Sequence, residues 1–203
     1  MDMMVIRPGT TDRDTLKEVR DYRDLDIRRG DRVLDLGGCI GAFGRVAADA
    51  GAFVYAVEPE PSNAQLYVKN VPEAHLRRCA VGGRRRLESL WLGSTNSHSI
   101  VERRGRQEDE LPVRVDTLDG LLAWSKATIV KADIEGSEYE VDWTFTPAVR
   151  ELAMELHYTP KKAWREEAKR VVARIEEQGF QAIRAPKDTG TNWHSVGVWR
   201  RSA

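Results

Sequence analysis

Cysteine is scarce, with only Cys39 and Cys79 in 203 residues. That excludes a disulfide scaffold and fits a reducing compartment. No apolar run approaches the roughly 18 residues a membrane span needs, which excludes a transmembrane protein. Net charge is missing as well: 32 basic and 32 acidic residues cancel, leaving no global field to draw the chain onto nucleic acid or an anionic membrane. His75, His98 and His194 show no ligand spacing with one another or with the cysteines, so no zinc site is expected. A Gly-rich loop followed by Lys-Ser/Thr is absent, which argues against an NTPase. The opening MDMMVIRPGTTDRD carries acid and proline where a secretory signal carries a basic start and a long apolar stretch; a cytoplasmic location is the expectation.

What is present suffices for one domain over 1–203, since a chain of this length with 41% hydrophobic residues buries a core without staples. Apolar periodicity alternates between strand and helix. A first helix over 11–25 places Leu16, Val19 and Tyr22 on one face, capped by Thr11 or Asp12. RVLDL at 32–36 reads as a buried parallel strand, followed by a glycine turn and a helix carrying Phe43, Val46, Ala47 and Ala50. FVYAV at 53–57 completes a βαβ unit. A helix over 62–70 opened by Pro61 and a strand over 76–81 come next. From 82 to 112 the pattern weakens into short β-like pieces between arginine clusters, an excursion from the fold that reads as a flap over a site.

Order returns with a strand at 113–115, a helix from Thr117, a strand at 128–133, a helix from Ser137 and a strand at 152–157. A long helix entered by Thr159-Pro160 and stopped by Gly179 then puts Ala168, Val171, Val172 and Ile175 on one face. Two strands, 180–183 and 195–199, form a terminal hairpin, so the core sheet runs over 32–199. The class is α/β.

Three constellations carry chemistry. Gly37-Gly38-Cys39-Ile40-Gly41, between a strand and a helix, lets the backbone approach a ligand and offers helix-start amides. Glu58, at the end of the next strand and about 20 residues on, is placed to accept hydrogen bonds from both hydroxyls of a ribose. Lys131-Ala132-Asp133-Ile134-Glu135-Gly136 ends another parallel strand and faces the same crevice, because ligands bind beyond the carboxyl ends of such strands. Lys131 and Asp133 share a strand face, as do Glu155 and His157 on the next strand. His157 has the near-neutral reference pKa of a base. The arginines, 24 against 8 lysines, cluster at Arg84, Arg85, Arg86 and at Arg103, Arg104, Arg106, either as a solvated loop or as a fork for substrate phosphate or carboxylate.

These residues resemble the FkbM family of S-adenosylmethionine-dependent methyltransferases. The resemblance runs over about 5–157: Arg7 to Asp12, Asp31 to Gly37, Val57-Glu58-Pro59, Val115 to Asp119 and, most diagnostically, Asp133, Glu135, Gly136 and Glu138. It implies a class I methyltransferase, Rossmann-like fold, with a doubly wound seven-stranded sheet whose last strand is antiparallel. It also implies methyl transfer to a hydroxyl of a sugar or secondary metabolite. Family members commonly have Gly-Ala-Asn where this chain has Gly37-Gly38-Cys39, so an asparagine contact to the cofactor is lost while backbone contacts are expected to survive.

Carried over by position, Asp35, Gly37, Gly38 and Gly41 surround the methionine part of the cofactor, Glu58 and Pro59 the ribose, and Asn63, Ala80 and Val81 the ribose and adenine. Glu18 and Tyr22 close the methionine end. Asp133 and Glu135 lie nearest the methyl group, and Asp133, Glu135 or His157 serves as base, with Lys131 tuning their charge. No metal is predicted, Asp133 and Glu135 being the pair a divalent ion would take. The expected partner is a small molecule, phosphorylated or nucleotide-linked if the arginines bind it, and neither long nucleic acid nor a membrane; oligomeric state is not legible. Three alternatives stand beside this reading: a methyltransferase acting on a nucleotide or nucleic acid, a catalytically inactive nucleotide-binding module, and an NAD-dependent dehydrogenase. The last is disfavoured by the helix before the first strand and by the chain's length.

Overall fold

The computed structural model describes residues 4–94, 96–101, 110–158 and 163–202. Its main sheet contains β1 (Arg32–Leu36), β2 (Phe53–Val57), β3 (His75–Arg77), β7 (Ile129–Ala132), β8 (Glu151–His157), β9 (Phe180–Arg184) and β10 (His194–Arg201). They lie in the order β3-β2-β1-β7-β8-β10-β9. Every neighbouring pair from β3 to β8 is parallel. The terminal hairpin inserts β10 between β8 and β9, antiparallel to both. The protein therefore has the class I methyltransferase fold, with its last strand reversed.

Alternation along the strands explains why both faces are covered. Val33, Val54, Ala56, Ile129, Ala153 and Val198 point into one core with Phe43 and Ala47 of α2 (Ala42–Asp49) and Tyr67 of α3 (Pro61–Asn70). Their neighbours Leu34, Tyr55, Val57, Val130, Leu152, Met154 and Trp199 point into the other. There they meet Leu118, Leu121 and Leu122 of α4 (Leu118–Ser125) and Ala168 and Ile175 of α5 (Ala163–Glu176). Two-sided burial of this kind is why the strands read as continuous apolar runs. Among the described residues no helix is long and apolar enough to cross a membrane.

Several expectations are corrected. The first helix is shorter, α1 spanning Asp12–Glu18 before the chain tightens into a 3₁₀ turn over Val19–Tyr22 that brings Tyr22 into the core. Leu16 and Val46 are exposed rather than packed. The strand expected at 76–81 is two: β3 stays in the main sheet, while β4 (Ala80–Val81) leaves it to pair with β6 (Glu110–Asp116). Apolar character at 79–81 marks burial but not which sheet receives it. The helix expected from Ser137 is one 3₁₀ turn, Ser137–Tyr139. The Trp143 indole donates to the Glu138 carbonyl at 2.8 Å, taking the acceptor that a further helical turn needs. The entry Thr159-Pro160 lies outside the described residues.

Where the flap is expected, β5 (Arg86–Trp91) pairs antiparallel with β6, giving a second, three-stranded sheet β4-β6-β5 with its own core of Ala80, Leu90, Ile100, Val113 and Val115. Of the arginine cluster at Arg84, Arg85 and Arg86, the last two are paired within the protein, while Arg84 is exposed. Arg85 pairs with Asp116 at 2.8 Å, and Arg86 pairs with Glu88 at 2.9 Å and Glu140 at 2.8 Å, so these two hold the small sheet in place. Arg103, Arg104 and Arg106 lie outside the described residues.

Trp199 is fully buried on the antiparallel strand, among the largest side chains of the core. Trp199→Ala should cost about 3–5 kcal/mol, to be read as a lower midpoint in denaturant unfolding.

Candidate active site

Strands β1, β2 and β7 end side by side, and the turns that follow them must crowd together. Gly37, at φ +72°, is where they touch: a Cβ there would sit 1.8 Å from the Asp133 carbonyl oxygen. Gly38 and Gly44 do the same against the Tyr67 ring and hydroxyl, at 2.4 and 2.0 Å. Beneath the loop the Tyr67 hydroxyl donates to Asp35 Oδ2 at 2.9 Å, and Lys131 Nζ lies 3.4 Å from Asp35 Oδ1. Lys131 also donates to the Gly37 carbonyl at 2.7 Å. Burial opposes the lysine charge, but Asp35, Asp133 and Glu155 outweigh it and raise its pKa.

The crowding leaves a cleft of about 810 Å³, solvent at its mouth included. Of the residues expected there, Glu18, Tyr22, Gly37, Gly38, Glu58, Pro59, Asn63, Ala80, Val81, Lys131, Asp133 and Glu135 line it. Three do not. Asp35 is fully buried under the loop, Gly41 turns into α2 at φ +88°, and His157 lies behind the cleft wall between carboxylates. Its Nδ1 is 3.0 Å from Glu138 and its Nε2 3.3 Å from Glu135. Burial works against its charge, yet these glutamates raise its pKa well above the histidine norm, and its place off the cleft removes it as the base.

The loop's amides are also not free as expected. Gly37 and Gly38 donate to the Val57 carbonyl at 2.9 and 3.0 Å, Cys39 to Glu58 Oε2 at 2.8 Å, and Gly41 to the Gly38 carbonyl at 2.9 Å. The glycines serve close approach, not anion capture. Cys39 takes left-handed backbone at φ +47°, a conformation asparagine adopts more readily, and contributes through its N–H. Burial raises its thiol pKa, with the Glu58 charge adding to the effect.

Glu58 is 4% exposed. Its oxygens accept backbone N–H groups, from Glu60 at 2.9 Å and from Cys39 at 2.8 Å, and the Asn63 side chain also favours its charged form. Burial pushes its pKa up to about 7 against those bonds. At the opposite end, Asp133 Oδ2 accepts from the Tyr22 hydroxyl at 3.3 Å and faces Lys131 at 3.9 Å. Burial pushes the Asp133 carboxyl up, but the Lys131 charge prevails and holds it below the usual range. Glu155 is driven up to about 8 by burial and then by Asp133. Glu135 sits in left-handed backbone at φ +55°, the kind of strain that gathers at functional sites.

Sequence reasoning missed the walls. Leu90, Asn96, His98 and Ile100 reach the cleft from the small-sheet side. There Asn96 accepts from Thr11 at 2.8 Å and donates to Glu18 at 3.4 Å. The Ser99 hydroxyl donates to the Glu135 carbonyl at 2.6 Å. Burial pushes the Glu18 carboxyl up, Asp133 adding to it. The opening Arg7 to Asp12 acts as a brace, since Arg7 pairs with the fully buried Asp12 at 2.8 Å and donates to Asn63 at 2.6 Å. No pattern signal marks Asn96 or His98 in advance, whereas an Asp12 that belongs in the core could have flagged its Arg7 partner.

A family model, the methyltransferase FkbM domain, matches residues 35–182, well over half of the chain. The chain belongs to the FkbM methyltransferase family. The matched span contains the glycine loop, Glu58, the Asp133 turn and β8. Solved structures similar to this FkbM chain include a magnesium protoporphyrin IX methyltransferase from Synechocystis with bound SAM (13% identity, 95% of this chain and 78% of that one, TM-score 0.44). Another is a fibrillarin from Aeropyrum pernix with natively bound S-adenosyl-L-methionine (12%, 92% and 74%, TM-score 0.49). A third is a precorrin-6y C5,15-methyltransferase from Geobacter metallireducens (11%, 100% and 92%, TM-score 0.47). Comparison with curated proteins finds no match.

The Gly37 contact is testable directly. Gly37→Ala should lower unfolding free energy by more than the about 1–3 kcal/mol that backbone strain alone costs. Gly30→Ala is the control, because Gly30 has φ +88° and nothing within 4 Å of its Cβ position. Equal losses in denaturant unfolding would mean that the approach to Asp133 adds nothing.

Proposed function

We propose that this FkbM protein transfers the methyl group of S-adenosylmethionine to a hydroxyl oxygen of a small molecule such as a sugar or secondary metabolite. The observation that carries the reading is one cleft holding a ribose-type carboxylate, Glu58, at one end and a carboxylate-rich turn, Asp133 to Glu135, at the other. A bound cofactor would place its ribose hydroxyls at Glu58, its adenine along Ala80 and Val81, and its sulfonium toward Asp133 and Tyr22. A surplus of carboxylates there suits a cationic sulfur. The Tyr22 to Gly38 wall excludes water from the methyl.

The acceptor oxygen attacks the methyl carbon in line with the departing sulfur, which leaves with the bonding electron pair. Holding the two at attack distance supplies much of the rate. The acceptor's proton goes to Glu135. Of the three carboxylate and imidazole candidates, His157 is off the cleft and Asp133 is tied to Tyr22 and Lys131, while Glu135 lines the cleft. The pairing of Arg85 and Arg86 within the protein removes part of the basis for a phosphorylated acceptor.

Isothermal titration with S-adenosylhomocysteine tests the cofactor assignment. Glu58→Ala should weaken binding at least tenfold, and heat with NAD instead would sink it. Only ionised Glu58 accepts from both hydroxyls, and its pKa is raised to about 7. Affinity should therefore rise about tenfold between pH 6 and pH 8, and Glu58→Gln should flatten that profile. With labelled cofactor and a panel of hydroxylated acceptors, Glu135→Gln should lower kcat by about 10²–10⁴. Its S-adenosylhomocysteine affinity should stay within a few-fold; an unchanged kcat would remove Glu135 as the base.

A further inference from the structure

Behind Asp133 lies a cluster that the transfer chemistry above leaves unused. Glu155 and His157 share a face of β8, whose parallel neighbour β7 leads directly into Asp133. One oxygen of Asp133, one of Glu155 and one ring nitrogen of His157 all lie within 4.8 Å of one another. Carboxylate oxygens of Asp133 and Glu155 brought this close repel unless a proton or a cation lies between them. Asp133 is engaged on one side only. Its Oδ2 takes Tyr22 and Lys131, whereas Oδ1 is buried and has no hydrogen-bond partner among the described residues. A buried carboxylate oxygen left so is costly.

The imidazole is oriented for the same point. His157 is 8% exposed. Fully buried Glu138 holds its Nδ1, so Nε2 turns toward Glu135 at 3.3 Å and Glu155 at 3.9 Å. A carboxylate behind one ring nitrogen, with the other presented to neighbouring carboxylates, is how ligating histidines are fixed. The geometry points to a divalent-cation site formed by Asp133, Glu155 and His157 behind the Asp133 wall of the cleft. Two carboxylate oxygens and one imidazole nitrogen, with no thiolate, suit a hard to borderline ion such as Mn²⁺ or Mg²⁺.

With three protein donors a bound ion would keep open coordination positions, and the chemistry it would supply is Lewis-acid polarisation of an acceptor hydroxyl whose proton Glu135 takes. This role rests on the methyltransferase reading; the site itself does not.

Mn²⁺ titrated into the purified full chain, with free ion followed by its electron paramagnetic resonance signal, tests the site. One saturable site per chain is expected, weakened at least tenfold by Glu155→Gln and by Asp133→Asn. Glu155→Gln should keep S-adenosylhomocysteine affinity within a few-fold, which shows that the variant is folded. Pulsed spectra of the wild-type complex should show modulation from a directly bound ¹⁴N, the His157 nitrogen, a readout that needs no variant. Absence of a saturable site, indifference of folded variants, or no nitrogen modulation overturns the proposal. Glu58→Ala should lose S-adenosylhomocysteine while keeping Mn²⁺. A wild-type chain that binds Mn²⁺ but not S-adenosylhomocysteine would refute the methyltransferase reading and leave the cation site standing.

Discussion

Asp35 and Lys131 face each other across the β1–β7 pairing, nearly inaccessible to solvent, and the geometry of the cleft depends on them. Lys131 reaches past Asp35 to the carbonyls of Leu36 and Gly37, so one ammonium group ties β7 to the end of β1 and the start of the glycine loop. Removing either partner would strand a buried charge, which is far more damaging than the modest net gain of the intact pair. The pair therefore does more for position than for stability. It holds the glycine loop against Asp133, and the Lys131 charge favours the ionised form of Asp133.

Around that pin the cleft is closed by elements remote in sequence. The Arg7–Asp12 brace sets α1 against Asn63, α1 and the 3₁₀ turn after it supply Glu18 and Tyr22, and Asn96 from the small-sheet side meets Thr11 and Glu18. Each contact is polar and small. Together they decide which side chains see the ligand, because a cleft this size is bounded by a few residues from each side. The strained backbone at Cys39 and Glu135 lies on the same rim, where packing from both sheets keeps it in place.

Much of this was readable from residue order. β1 and β2 fall where the apolar runs RVLDL and FVYAV lie, since strands buried on both faces must be continuously apolar. Glu58 follows β2 into the cleft because parallel strands all deliver their C-terminal residues to one edge. The same logic misplaced His157. Alternation put it on the right face of β8, but only the packed structure shows Glu138 and Glu135 occupying both ring nitrogens. The helix expected after Ser137 failed for a similar reason, as a tryptophan five residues on from Glu138 takes the carbonyl the helix required.

Local chemistry thus settled the strand order's raw material, the glycine turn, the carboxylate at the end of β2 and the family to which the chain belongs, because each depends on spacing of a few residues. Tertiary structure alone decided which charges meet. It spent Arg85 and Arg86 on holding a small sheet, turned Arg7 into a brace, and brought Asp133, Glu155 and His157 together from two neighbouring strands. Charge pairing depends on distances of a few ångströms between segments tens of residues apart. Those distances are set only once both faces of the sheet are packed.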